Sequence, residues 1–149
     1  EGVAGANYGW DLTEGPSSDP RFRSPLLAYP HQPPGAPTGC AIAGGAFYSG
    51  CEPQFPEEWR GRYFFLEYIY GWLGAVDPQN PVAVKKLATG FLMPVAVIVD
   101  RDGSLLVLER AAWVRDQSWK PKTGKLWRIS CLRKEDTVRQ QPAPAHPSP

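Results

Sequence analysis

The side chains able to do chemistry are few and scattered. His31 follows Tyr29-Pro30 inside a Pro-rich stretch. Near neutral pH an imidazole there could act as acid, base or ligand. No partner group is identifiable beside it, so a structural loop histidine is the better reading. Trp10 and Trp72 carry the aromatic surface that would wall a sugar or quinone site. Packing between neighbouring sheets is the competing and better reading, because tryptophan buries a large area in any setting. Glu109-Arg110 closes an apolar run and is placed to point into a channel, to form an ion pair or to solvate a strand end. Lys120, Lys122 and Lys125 read as a loop surface rather than a phosphate site. Neither a Gly-rich phosphate loop nor a G-x-S-x-G nucleophile elbow is present. These residues identify no catalytic group.

Cysteine chemistry is equally open. Cys40 and Cys51 stand eleven apart across a turn-rich stretch, with Cys131 left over. A Cys40–Cys51 disulfide in an oxidising compartment and three buried thiols are both compatible with that spacing. No CxxC, CxxCH or HExxH pattern occurs, which argues against zinc and covalent haem.

The elements that must position these groups are short strands and turns. Residues 1–39 are irregular, with seven prolines from Pro16 to Pro37. Proline cannot donate to a β-ladder, so this is a long surface excursion. Four strands are expected between Cys40 and Leu87: Ala41–Ser49, with a close backbone approach at Gly44-Gly45, then Tyr63–Tyr70, Trp72–Val76 and Val82–Leu87. Three more follow: Val95–Val99, Leu105–Leu108 and Lys125–Cys131. The Asp100-Arg101-Asp102-Gly103 segment between the first two of these is a strong hairpin signal. A polar loop is expected from Trp113 to Gly124. After Leu132 the chain turns charged and then Pro-rich, as an extended tail does. The expected layout is therefore a long loop over 1–39, a β-region over 40–132 and a tail over 133–149.

The two strand groups share a rhythm. Four-stranded sheets repeating at about 40–50 residues are the units of a β-propeller. The second group lacks its fourth strand, which many propellers take from the start of the chain. The reading is all-β: about two blades of a larger propeller. Bulk properties agree. With 17 Pro and 15 Gly in 149 residues, a helical bundle is excluded. A net charge of +1 argues against nucleic-acid binding through global charge. The longest apolar run, Phe91–Val99, is broken by Pro94, whereas a membrane helix needs roughly 20 residues. Charge is uneven, with 6 basic and 10 acidic residues up to 100 but 10 basic and 5 acidic over 101–139. A solvated rim of loops explains this better than a docking edge. The chain begins at Glu1 with no signal-like segment, so any secretion signal is expected to lie outside this sequence or to have been removed.

Certain segments come in a distinctive order: Asn7-Tyr8-Gly9-Trp10, Glu14-Gly15, Tyr29-Pro30-His31, Ala43-Gly44-Gly45-Ala46-Phe47-Tyr48-Ser49-Gly50 and Gly61-Arg62-Tyr63-Phe64-Phe65. Pro94-Val95-Ala96-Val97, Asp102-Gly103-Ser104-Leu105 and Gly124-Lys125-Leu126-Trp127-Arg128-Ile129 follow. From Glu1 to Leu132 the chain resembles the C-terminal part of the glucose/sorbosone dehydrogenase family. That resemblance implies a six-bladed propeller, a sugar or alcohol substrate, pyrroloquinoline quinone and calcium as cofactors, an electron acceptor such as a cytochrome, and a secreted or periplasmic location. It would place a backbone calcium ligand at Tyr8; the candidate substrate or partner contacts, Trp10, His31, Trp72 and Arg110, come from the residue types themselves.

The departures from that pattern count as much as the match. The family's quinoproteins carry a lysine at the position matching Ile69. They carry two arginines where this chain reads Phe91-Leu92-Met93-Pro94. Apolar side chains cannot make the charge-assisted bonds that hold a cofactor's carboxylates. No cofactor-binding residue is assigned, and the family's catalytic histidine lies upstream of this sequence. Either the whole protein is a sugar dehydrogenase, or the module binds carbohydrate or protein without redox chemistry. About two blades leave an open inter-blade face, so the isolated chain is expected to associate.

Overall fold

A computed structural model describes residues 3–31, 39–49, 54–110 and 122–131. Cys51, Lys120, most of the 113–124 loop and the 133–149 tail lie outside the described residues. Among the described residues, seven antiparallel strands form two sheets. The first holds β1 (Ile42–Phe47), β2 (Tyr63–Glu67), β3 (Trp72–Val76) and β4 (Lys85–Thr89) in chain order. The second holds β5 (Pro94–Val99), β6 (Leu105–Glu109) and β7 (Lys125–Ile129), also in order. The sheets are successive propeller blades, and β5 of the second lies along β1 and β2 of the first. Among the described residues no helix is long and apolar enough to cross a membrane.

Each blade alternates apolar side chains to two faces, as the strand period requires. In blade one, Phe64 and Leu66 of β2 and Leu73 and Ala75 of β3 face blade two. They meet Val97, Leu105 and Val107, and every one of these is buried. Burying such side chains contributes roughly 1.5–3 kcal/mol for each Val, Leu or Phe, so this seam is the main source of cohesion. The glycines expected to permit close approach do so. A Cβ on Gly44 would lie 2.9 Å from Ala96 Cα, and Gly44 adopts φ +59°. The bare backbone therefore lets the first strands of the two blades touch.

The hairpin expected at Asp100–Gly103 forms as read. Gly103 N donates to Asp100 O at 3.0 Å and Asp100 N to Ser104 O at 2.8 Å. Tyr48 then ties the blades across this turn: its hydroxyl donates to Gly103 O at 2.9 Å and accepts from Gln54 and Phe55 N–H.

Strand limits shift where side chains or turns compete for backbone groups. The fourth strand starts at Lys85, not Val82. Asn80 N bonds Asp77 O and Val82 N bonds Asn80 O, which carries the turn to residue 82 and leaves Val82 80% exposed. The second strand stops at Glu67 rather than Tyr70. The Glu67 carboxylate takes the Tyr70 N–H, and Glu67 O takes the Gly71 N–H, so the chain turns there. The first strand is shorter than read at both ends, β5 begins one residue earlier at Pro94, β6 extends to Glu109, and β7 ends at Ile129. A 3-10 turn over Glu57–Trp59, unanticipated from sequence, seats the Trp59 ring beside Phe64.

The blades repeat one construction in detail. Both first strands carry a bulge near their start, between Ala43 and Gly45 and between Pro94 and Ala96. Both second strands end in a buried glutamate, Glu67 and Glu109. Glu67 accepts the N–H of Cys40, two residues before β1, and Glu109 that of Leu92, two residues before β5, each at 2.7 Å. One residue further on, Tyr68 N bonds Ala41 O at 2.8 Å and Arg110 N bonds Met93 O at 3.1 Å. A carboxylate thus clamps the entry of each blade to the end of its second strand.

Candidate functional site

The clamps bring three segments to one corner: the β2–β3 turn, the β4–β5 connection and the end of β6. Tyr68 and Arg110 occupy equivalent positions in their blades and meet there. Arg110 Nη1 donates to Tyr68 Oη at 3.2 Å, and Tyr68 Oη donates to Met93 Sδ at 3.4 Å. Arg110 is half-buried, and Ile69, Tyr70 and Leu92, neighbours in sequence of Tyr68 and Met93, are exposed. The corner offers one guanidinium, one phenol and a largely apolar rim. It can hold an acceptor oxygen and pack an apolar ligand face, and its described residues include no nucleophile–base pair.

Of the candidate contact residues read from sequence, only Arg110 stands at this corner, together with Ile69 and the Phe91–Pro94 segment, where the resembled family carries basic residues. Trp72, 2% exposed, packs against Phe65 and Tyr29 with ring centroids 5.5 and 6.1 Å apart. Its Nε1 has no hydrogen-bond partner. Trp10 makes none of these contacts and is 80% exposed on its loop, so the two tryptophans do not form one wall. Tyr8 is exposed, and its hydroxyl accepts Val3 N–H at 2.8 Å. Among the described residues no group of three or more His, Cys, Asp or Glu could hold a metal ion. Lys125 lies over the Trp127 ring at 5.3 Å. Cys40 is exposed and Cys131 half-buried; the Cys40–Cys51 pairing involves a residue outside those described.

His31 is exposed and pairs through its backbone with Gly39. It lines an open cavity of about 660 Å³ with Glu14, Tyr29 and Ile42. The Tyr29 hydroxyl is buried without a partner, and its pKa is pushed up to about 12 by burial and then by the Glu67 charge. Tyr29 therefore stays a neutral phenol at physiological pH.

The sequence marked Ile69 and Phe91–Pro94 only as departures from a family pattern; the Arg110–Tyr68–Met93 contact and the glutamate clamps were not anticipated. One signal was present: Tyr-Phe-Phe-Leu-Glu in β2 and Leu-Leu-Val-Leu-Glu in β6 both end an apolar run with glutamate. A carboxylate closing two equivalent runs marks a buried acceptor rather than a solvated strand end.

No protein family matches the chain by sequence, and no curated protein matches it. The fold is similar to the crystal structure of a Thermus thermophilus protein provisionally assigned as an oxidoreductase (glucose dehydrogenase). The two are 25% identical with a TM-score of 0.62, over 85% of this chain and 34% of the other. The chain spans about a third of that protein's length.

Proposed function

We propose that this chain supplies two blades of a propeller of the sugar-dehydrogenase type, and that the whole protein oxidises a sugar or alcohol, passing electrons to a partner such as a cytochrome outside the cytoplasm. The observation carrying this reading is the 25% identity and common fold over 85% of the chain with a protein provisionally assigned as a glucose dehydrogenase. The described residues would contribute wall and support to such a site. The Arg110 guanidinium, steadied by the Tyr68 hydroxyl, would donate to a substrate oxygen, and the glutamate clamps hold the loops that carry both.

The residues present do not fit a quinone held by its carboxylates. The corner turns Ile69 and Leu92 outward, and its one guanidinium already shares a bond with Tyr68. Carboxylates need charge-assisted donors there. For calcium, the Tyr8 carbonyl remains a single candidate ligand without a carboxylate cluster among the described residues. This corner favours a second reading, a propeller that binds carbohydrate or protein without a redox cofactor.

The two readings separate in one experiment. Full-length protein is incubated with calcium and pyrroloquinoline quinone at micromolar concentration, then supplied with aldoses and a reducible dye. Quinone uptake with dye reduction supports the quinoprotein form. Absence of uptake removes that form, and calorimetry with the same sugars then decides whether the protein binds them.

A further inference from the structure

The corner between the blades holds the one methionine of the sequence in an uncommon backbone conformation. Met93 has φ +49°, a left-handed value that residues with a side chain rarely adopt. The bonds on either side enforce it. Leu92 N donates to the buried Glu109 carboxylate at 2.7 Å, and Arg110 N donates to Met93 O at 3.1 Å. Pro94, buried, then opens β5. Strain of this kind persists only where the surroundings over-determine it, and it concentrates at functional positions. A methionine that merely fills a gap does so by adapting. Met93 instead has its backbone fixed on both sides.

The sulfur is engaged from one direction. Tyr68 Oη donates to Met93 Sδ at 3.4 Å, and Arg110 Nη1 donates to Tyr68 Oη at 3.2 Å. A phenol that accepts from a guanidinium is a strengthened donor. Yet this series of donors ends on a thioether, a weak acceptor. Tyr68 occupies one lone pair of the sulfur and leaves the other to an incoming reagent. Met93 is half-buried and Leu92 before it is exposed, so a small reagent can reach the site.

We infer that Met93 is a site of reversible oxidation by hydrogen peroxide, and that Tyr68 makes the oxidation stereospecific. The open lone pair attacks one peroxide oxygen; the S–O bond forms as the O–O bond breaks. Sulfur loses two electrons and the peroxide gains them. The proton on the transferred oxygen joins the departing hydroxide as water. With one lone pair open, one sulfoxide epimer forms. Each epimer is reduced by its own enzyme, taking two electrons from a dithiol and releasing the oxygen as water. One reductase therefore restores Met93 and the other does not. The sulfoxide oxygen is a stronger acceptor than the sulfur it replaces. Rotation about the flexible end of the side chain brings it to the Tyr68 hydroxyl and gives the donor series a stronger acceptor. Oxidation here tightens the corner, whereas a sulfoxide in an apolar core disrupts it. The inference rests on the geometry of the corner and stands whatever the substrate.

Peroxide treatment of the full-length protein tests this, native in one sample and unfolded in urea in another. Each is then incubated with one epimer-specific reductase and a dithiol. Mass spectrometry follows the added oxygen on the tryptic peptide Leu87–Arg101, in which Met93 is the one methionine. Sulfoxide formed in the native protein is expected to be removed almost entirely by one reductase and hardly by the other. Sulfoxide formed in urea is expected to be removed about half by each. Tyr68→Phe opens the second lone pair and should abolish the native selectivity. Oxidised wild type is expected to melt no lower than the reduced protein, and oxidised Tyr68→Phe lower than its own reduced form. Circular dichroism checks that the variant folds, and the native-versus-urea comparison decides the matter without it. Native protein that resists peroxide while the unfolded chain is oxidised overturns the inference. So do equal shares of the two epimers in native wild type, undiminished selectivity in folded Tyr68→Phe, or a lower melting temperature for oxidised wild type.

Discussion

Replacing Glu67 with Gln isolates the blade clamp. The Glu67 carboxylate is fully buried and accepts three backbone N–H groups, from Cys40, Ala41 and Tyr70. Glutamine keeps one carbonyl oxygen, which can still serve Cys40 and Ala41 without the charge. Its amide NH₂ would face the Tyr70 N–H, donor against donor. A hydrogen bond to a charged group contributes about 1.5–3 kcal/mol, and an unsatisfied buried donor costs about 1–3 kcal/mol. Removing the charge also relieves its burial cost, so the net loss should be about 2–4 kcal/mol. That is a large share of the roughly 5–15 kcal/mol that holds a domain together. Glu109→Gln is the internal control. Its Leu92 N–H bond can pass to the amide oxygen, so a loss of about 1 kcal/mol is expected. Urea unfolding followed by tryptophan fluorescence reads both, at one low protein concentration so that association does not add to stability. A Glu67→Gln loss below about 0.5 kcal/mol, or a larger loss at Glu109, would refute the clamp.

Two further outcomes follow from local geometry. Gly71 has φ +64° and a Cβ there would run into Phe91 O, whereas Gly90 has φ +92° with nothing near it. Gly71→Ala should therefore cost well over the roughly 1 kcal/mol of left-handed strain expected for Gly90→Ala, and equal thermal shifts for the two would contradict the steric argument. The Ser104 hydroxyl and amide, and then Arg128, hold the Asp102 carboxyl below its usual pKa, as Arg21 does for Asp19. A depressed folded-state pKa stabilises above the unfolded value and is lost as pH falls through the folded one. The urea midpoint should drop on acidification below the ordinary aspartate range of about 3.9, less steeply in Asp102→Asn; identical acid profiles would show that Asp102 does not contribute.

Much of the fold is legible in the sequence because its signals are local. The aromatic run of β2 and the apolar runs of β3 and β5, each bounded by turns, are strand patterns in themselves. Asp102-Gly103 is hairpin chemistry within four residues. The Pro-rich stretch between Pro16 and Pro37 could supply no central strand, and its described residues hold none. Errors arose where a distant or side-chain group claimed a backbone donor, as Glu67 does at Tyr70. The candidate site was far less legible. Arg110 was visible as a charge at a strand end, but Tyr68 and Met93 lie 42 and 17 positions away from it, and only pairing across the blade seam joins them.

The order and direction of the strands, the hairpin at Asp100–Gly103 and the propeller rhythm follow from the sequence alone, because neighbouring residues decide strand period and turn type. Tertiary structure decided which carboxylates are buried clamps and that Trp72 is interior while Trp10 is exposed. Those properties depend on desolvation and on partners brought together across the seam. Neither can be read from residue type, since the same glutamate at a strand end is solvated in one packing and holds three backbone donors in another.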